Sequence, residues 1–163
     1  MNSTDIRRQS GAELSAGRIA FGFAAGFVSV LVFHQLMLAL LHVIGITPAT
    51  PYALKPVAPF GVPQVISSAF WGGIWGIVFV GVERVFPRGG AGYWAAAIAF
   101  GAVALTLVAW FIVAPLKGAP VAAGGKPAAM ATGLLVNGAW GFGTALLLRL
   151  QPLLGANRAP FGT

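Results

Sequence analysis

Few residues in the apolar part of this chain could do chemistry. His34 and Gln35 are adjacent in the stretch VLVFHQLMLALLH, and Asn137 lies in a later apolar stretch. Polar side chains are rare in such segments and normally face protein rather than lipid. His34 has two interpretations, a proton-accepting or ligand-binding imidazole and a neutral imidazole hydrogen-bonded to a neighbouring helix. The preferred structural hypothesis pairs Gln35 or His34 with Asn137.

A haem or pigment contact is a further alternative for His34. His34 and His42 lie on one predicted helix, about 12 Å apart along its axis, so they cannot hold one iron from opposite faces. We expect His42 at the membrane interface. The chain has no cysteine, which excludes disulfides and thiolate metal ligands. The sequence therefore predicts no metal site and no cofactor.

The acidic residues do not favour an enzyme. There are three of them, Asp5, Glu13 and Glu83, and all lie in the amino-terminal tail or at the end of an apolar stretch. Paired carboxylates, acid-base dyads and glycine-rich phosphate loops are missing from the sequence. We predict that the protein is not an enzyme.

The composition indicates a membrane protein. Of 163 residues, 58% are hydrophobic and 8% are charged, whereas a soluble domain has about a quarter charged residues. Four apolar stretches exceed the roughly 20 residues that a helix needs to cross a bilayer. We predict an all-α polytopic fold with a transmembrane domain over 19–152 between polar tails at 1–18 and 153–163. The predicted spans lie near 19–45, 65–86, 93–115 and 129–150.

The basic residues orient these spans. Seven arginines fall on the side of the two termini and the connection between the second and third spans, and three lysines fall on the other side. Because arginine and lysine favour the cytoplasmic side, both termini are expected there, in the inner membrane of a bacterium. The net charge of +7 is spread between apolar stretches and forms no continuous patch. The expected partners are therefore membrane lipids and not nucleic acid.

An internal repeat is suggested by two stretches, GGIWGIVFVGVERVFP at 72–87 and NGAWGFGTALLLRLQP at 137–152. Each has Trp-Gly, an arginine eight residues after that glycine, and then a proline. A duplicated unit of two helices keeps its orientation, so a bundle of two parallel repeats is predicted. We expect Trp75, Trp140, Arg84 and Arg149 at the membrane interface, with each proline ending its helix.

Small residues recur at spacings of four within the spans. This spacing keeps them on one helix face, where they let neighbouring backbones approach. Such faces could pack within the chain or between copies. The predicted helix-packing residues are Gly22, Gly26, Ser68, Gly72, Gly76, Gly101, Gly133 and Gly141.

The chain also resembles the YagU-type group of small bacterial inner-membrane proteins. The resemblance is in GFAAGFVSVLVF and in the stretch from GIVFVGVERVFP to APLKGAP, through a Gly-x-x-Ala-Gly first helix, a helix ending in Phe-Pro and a PLKG exit. It implies an inner-membrane protein connected with acid resistance and implies no catalytic or binding residues. This chain departs from the group in its proline-rich first outer segment.

Two functions are compatible with these features. The first is a non-catalytic accessory or scaffolding protein that acts through helix-helix contacts in a membrane assembly or homo-oligomer. The alternative is a small transporter or channel with a polar path along His34, Gln35 and Asn137.

Overall fold

Four long helices make up most of the protein. The computed structural model describes residues 15–58 and 60–156, with side chains to residue 151. The helices are α1 (Ala16–Val43), α2 (Gln64–Val85), α3 (Gly90–Leu116) and α4 (Pro127–Ala156). Each is long and apolar enough to cross a bilayer, so the prediction of a helical chain with four candidate spans is confirmed. Most of the predicted tails, 1–14 and 157–163, lies outside the described residues.

The helix ends follow the local sequence. The Ser15 side chain caps α1 by accepting a hydrogen bond from the backbone N–H of Arg18, at 3.2 Å. The last turn of α2 tightens into a 3₁₀ turn, and Phe86 is extended because it precedes Pro87. The expectation that Pro152 ends α4 is wrong, because the helix continues to Ala156. Pro152 has no N–H to donate to the carbonyl of residue 148, so the helix continues past it with one backbone hydrogen bond fewer.

The helices form two antiparallel hairpins, α1 with α2 and α3 with α4. The start of α1 meets the end of α2 through an ion pair between Arg18 and Glu83. The helices α1 and α4 pack closely, whereas α2 and α3 meet mainly through aromatic rings such as Phe79 and Phe100, whose centroids are 5.5 Å apart. We call the end of the bundle with residues 83–90 the tail end, and the end with residues 44–63 and 117–126 the loop end.

Glycines bring α1 and α2 into backbone contact. A Cβ atom on Gly26 would collide with the carbonyl oxygen of Gly72 and would lie 2.9 Å from the Cα of Gly76. A Cβ on Gly76 would likewise collide with the carbonyl oxygen of Gly22. This seam therefore depends on the missing side chains, and it closes within one chain.

A second seam joins α3 to α4. A Cβ on Gly101 would collide with the carbonyl oxygen of Asn137, and a Cβ on Gly141 would collide with that of Ala97. The other predicted packing residues are less tightly held. A Cβ on Gly133 would make only ordinary contacts at 3.5 Å, and Ser68 is half-buried.

The core contains a residue that the sequence places at the membrane interface. Trp140 is 1% exposed, and its indole N–H donates a hydrogen bond of 2.9 Å to the carbonyl oxygen of Gly26. Its interfacial placement is therefore wrong. A buried tryptophan needs a partner for its N–H, and the Gly26 carbonyl supplies one. Trp75 is half-buried, with its ring edge against Phe100.

The connections at the loop end are compact. Residues 44–63 include two short antiparallel strands, β1 (Pro56–Val57) and β2 (Val62–Pro63). The connection from α3 to α4 contains a turn over Val121–Gly125, in which Ala122 and Ala123 adopt left-handed backbone angles. The polar contacts of the first connection bear on the candidate site.

Candidate functional site

The three polar residues predicted to line the spans have separate environments. The side chain of Gln35 accepts a hydrogen bond from the first connection, and that of Asn137 donates one to α3. His34 has no hydrogen-bond partner for Nδ1 among the described residues. The hypothesis that Gln35 or His34 pairs with Asn137 is therefore wrong. The helix neighbours and the connection satisfy Gln35 and Asn137 locally, which removes the need for a bond between them.

Gln35 fixes the first connection to α1. Its Oε1 accepts a hydrogen bond of 2.7 Å from the backbone N–H of Tyr52, a residue with a left-handed φ of 51°. The hydroxyl of the same tyrosine donates a bond of 2.9 Å to the carbonyl oxygen of Leu31. That carbonyl lies in a π-helical turn over Val30–His34, where the regular helical bonding pattern is interrupted. The connection is therefore held by two bonds to one tyrosine.

Asn137 joins α4 to α3 rather than to α1. Its Nδ2 donates to the hydroxyl oxygen of Thr106 at 2.9 Å, and that hydroxyl donates to the carbonyl oxygen of Gly133 at 3.2 Å. Thr106 is 1% exposed. Hydrogen bonds between helices in a membrane contribute about 0.6–2 kcal/mol each, so this relay stabilises the hairpin.

His34 is the remaining polar group of the predicted set. Its Nδ1 atom is buried, as are the hydroxyl oxygens of Ser29 and Thr144, which have no hydrogen-bond partner within the described part of the chain. Among the described residues, no three histidine, cysteine or acidic side chains come close enough to hold a metal ion. His42 lies apart from it, with Nδ1 3.3 Å from the carbonyl oxygen of Thr47 at the loop end.

The tail end holds a polar cluster that is not among the predicted site residues. One carboxylate oxygen of Glu83 accepts a hydrogen bond from the Arg18 guanidinium at 2.6 Å, and the other accepts one from the Tyr93 hydroxyl at 2.5 Å. The Arg149 guanidinium lies over the Tyr93 ring, 3.9 Å from its centroid. The cluster thus contains one residue from each helix, and a half-buried acid at its centre is neutralised by a neighbouring arginine.

The two arginines predicted to occupy matching positions differ in their contacts. Arg149 stacks on Tyr93 and lies 5.7 Å from the ring centroid of Trp94, which is typical of a cation-π contact. Arg84 is exposed and lies in the last turn of α2. Both lie at the tail end.

A residue-level signal for this cluster exists in the sequence. Glu83 is the one acid at the boundary of a predicted span, and Arg18 immediately precedes the first predicted span at the same end. An antiparallel hairpin brings these two positions together, so the pair follows from the topology. The contacts of Tyr52 and Thr106 have no such signal, because they depend on the path of a connection and on the rotation of a helix about its axis.

These features define a protein of the helical membrane type, with four candidate spanning helices and polar side chains that mostly bind neighbouring backbone and helices. Comparison with protein-family models, curated proteins and solved structures gives no match. The resemblance to the YagU-type group therefore stays a prediction.

Proposed function

We propose that this chain is a non-catalytic integral protein of a bacterial inner membrane, acting as an accessory or scaffolding component of a membrane assembly or homo-oligomer. The observation that carries the proposal is that the four helices are buried to different extents. Only 17% of the most apolar window of α3 is buried, against 33% to 44% in the other three helices. Its outer face presents Val103, Leu107 and Phe111, each at least 45% exposed.

The small-residue seams support this assignment. They close within the chain, between α1 and α2 and between α3 and α4. The glycine faces are thus already occupied, and α3 offers the surface for a partner helix. A large apolar side chain such as Phe111 gives a partner helix dispersion contacts, although lipid competes for the same surface.

Photo-crosslinking in the native membrane tests the proposal. A photoreactive residue at Leu107 on α3 is compared with one at Val78 on α2, which is also exposed. We expect a discrete protein adduct from position 107 and only lipid adducts from position 78. Adducts of lipid alone at both positions would contradict the scaffolding role, and a dimer-sized adduct would identify the partner as a second copy.

Both termini are proposed to face the cytoplasm. The described arginines Arg18, Arg84, Arg88 and Arg149 are at the tail end, and the lysines Lys55, Lys117 and Lys126 are in the connections at the loop end. This distribution supports the orientation through the preference of arginine and lysine for the cytoplasmic side. A single cysteine introduced at Lys55 should react with a membrane-impermeant reagent in intact cells, and one at Arg88 should not.

The two hairpins are proposed to be parallel repeats. The collision of a Gly26 Cβ with the Gly72 carbonyl recurs between Gly101 and Asn137, shifted by 75 positions on the first helix (101 − 26) and 65 on the second (137 − 72). The second collision of each seam follows the same shifts. Gly26→Ala and Gly101→Ala should therefore lower thermal stability by similar amounts, and a large difference would argue against the repeat.

A small transporter or channel is the second candidate. The buried Nδ1 of His34, with its neighbouring helix residue Gln35, favours it, because ionisable groups inside a membrane often mark ion pathways. The filled core weighs against it, since Trp140 and Phe79 are each at most 1% exposed. Proteoliposomes with the wild type and with His34→Gln distinguish the two candidates. Proton flux that the variant abolishes would support a transporter.

A further inference from the structure

An apolar groove runs along the outer side of α4. Its floor includes Leu134, Gly138 and Phe142, and its walls come from Phe33 and Leu36 of α1 and from Ile98 of α3. The groove has a volume of about 610 Å³ and is open to the side. Gly138 adds no side chain to the groove, and a Cβ there would make only ordinary contacts of 3.5 Å with α3.

The groove leads towards a cation at the tail end. The Phe142 ring lies beside Trp94, with centroids 5.3 Å apart, and Trp94 in turn is 5.7 Å from the Arg149 guanidinium. Arg149 is exposed, whereas the acid of the tail-end cluster is bonded to Arg18 and Tyr93. The side chain of Trp94 therefore connects the apolar groove to an accessible positive charge.

The spacing along α4 matches one leaflet. At 1.5 Å per residue, Phe142 lies about 10 Å from Arg149 and Leu134 lies about 22 Å from it. Half of the hydrocarbon core is about 15 Å thick. With the guanidinium among the headgroup phosphates, an acyl chain would reach the part of the groove around Gly138.

We propose that this groove and Arg149 form a binding site for one anionic phospholipid, with an acyl chain in the groove and the headgroup phosphate on the guanidinium. The aromatic bridge gives the glycerol region an amphipathic surface of the kind that tryptophan provides at membrane interfaces. The stacking of Arg149 on Tyr93 orients the guanidinium before the lipid binds, which reduces the entropy lost on binding. A second copy of the chain would use the groove without needing the charge.

Lipid binding to the detergent-purified protein tests this site by native mass spectrometry. Phosphatidylglycerol and phosphatidylcholine with identical acyl chains are titrated against the wild type and against Arg149→Gln. We expect the wild type to prefer phosphatidylglycerol, and the variant to bind it about fivefold more weakly, the effect of one arginine near a membrane surface. Arg84→Gln is the matched control, because that arginine also ends a span at the same end but lies on α2, which contributes no residue to this groove.

Further arms separate the acyl chain from the phosphate. Gly138→Leu should weaken the binding of both lipids by filling the groove floor, and its melting temperature shows whether the bundle is intact. If Gly138→Leu does not fold, Arg149→Lys provides a second test. It keeps the charge, so it should show most of the phosphatidylglycerol preference that Arg149→Gln loses. Inorganic phosphate at the lipid concentration should not displace the lipid.

Several results would overturn the proposal. Equal losses in Arg149→Gln and Arg84→Gln would indicate general attraction to basic residues instead of a site. Unchanged binding in Arg149→Gln would remove the headgroup contact, and displacement by inorganic phosphate would indicate a phosphate site without an acyl-chain requirement. A dimer that forms in place of lipid binding would assign the groove to a second copy.

Discussion

Adding one methyl group at Gly76 should destabilise the bundle more than adding it at any exposed glycine. The new Cβ of Gly76→Ala would collide with the carbonyl oxygen of Gly22 and lie 3.0 Å from the Cα of Gly26. Both obstacles are backbone atoms, so no rotamer change can relieve the contact. The helices α1 and α2 must therefore move apart along the seam.

The expected cost follows from two opposing effects. Overpacking of a close contact costs about 1–3 kcal/mol, because separated helices lose dispersion contacts. Alanine is preferred over glycine inside a helix by about 0.5–1 kcal/mol, which offsets part of that cost. We expect Gly76→Ala to lower the free energy of unfolding by about 1–2 kcal/mol after both effects.

Gly81→Ala provides the matched control on the same helix. No atom of the described residues lies within 4 Å of a Cβ at Gly81, so only the helix preference acts and the variant should be as stable as the wild type or slightly more stable. Thermal unfolding in one detergent, followed by circular dichroism, compares the variants. A Gly76→Ala protein that melts at or above the temperature of Gly81→Ala would refute the seam as a source of stability.

Three other changes test separate contacts. Trp140→Phe replaces the indole by a smaller ring and removes the hydrogen bond to the Gly26 carbonyl, and it should cost at least about 1 kcal/mol in detergent unfolding because the space left in the core adds to the lost bond; no loss would mean that the bond adds nothing. Glu83→Gln removes the charge that holds Arg18, and it should weaken the association of the tail ends, seen as faster cleavage there by protease; unchanged cleavage would contradict this. Tyr52→Phe removes the hydrogen bond from the Tyr52 hydroxyl to the Leu31 carbonyl, so the amide hydrogens of the first connection should exchange faster while the melting temperature changes little. Unchanged exchange would mean that this bond does not hold the connection to α1.

The sequence predicted the helices better than the contacts of their side chains. Hydrophobic length alone indicates four spans, because a bilayer sets a minimum length that does not depend on neighbours. The glycine faces were also readable, since spacing of four marks a face whatever helix it meets. The partner of each face was not readable, because it depends on the rotation of the helix about its own axis.

Trp140 shows why side-chain positions in such a fold escape prediction. Tryptophan is common at membrane interfaces, so an interfacial position is the natural expectation for Trp140 and for Trp75. Which of them becomes buried depends on space beside the ring. Gly72 leaves that space, since a Cβ there would lie 3.2 Å from the Trp140 indole nitrogen.

The proposed repeat explains why the two tryptophans differ. Under its shift of 65 positions, Trp75 corresponds to Trp140 and Gly72 to Asn137. The indole of Trp140 lies beside Gly72 of α2, whereas the residue that corresponds to Gly72 in the second hairpin is Asn137 of α4, whose side chain is bonded to Thr106. Trp75 instead lies with its ring edge against Phe100. The glycine-to-asparagine difference therefore gives the two tryptophans different surroundings, and in this respect the two halves of the bundle are not equivalent.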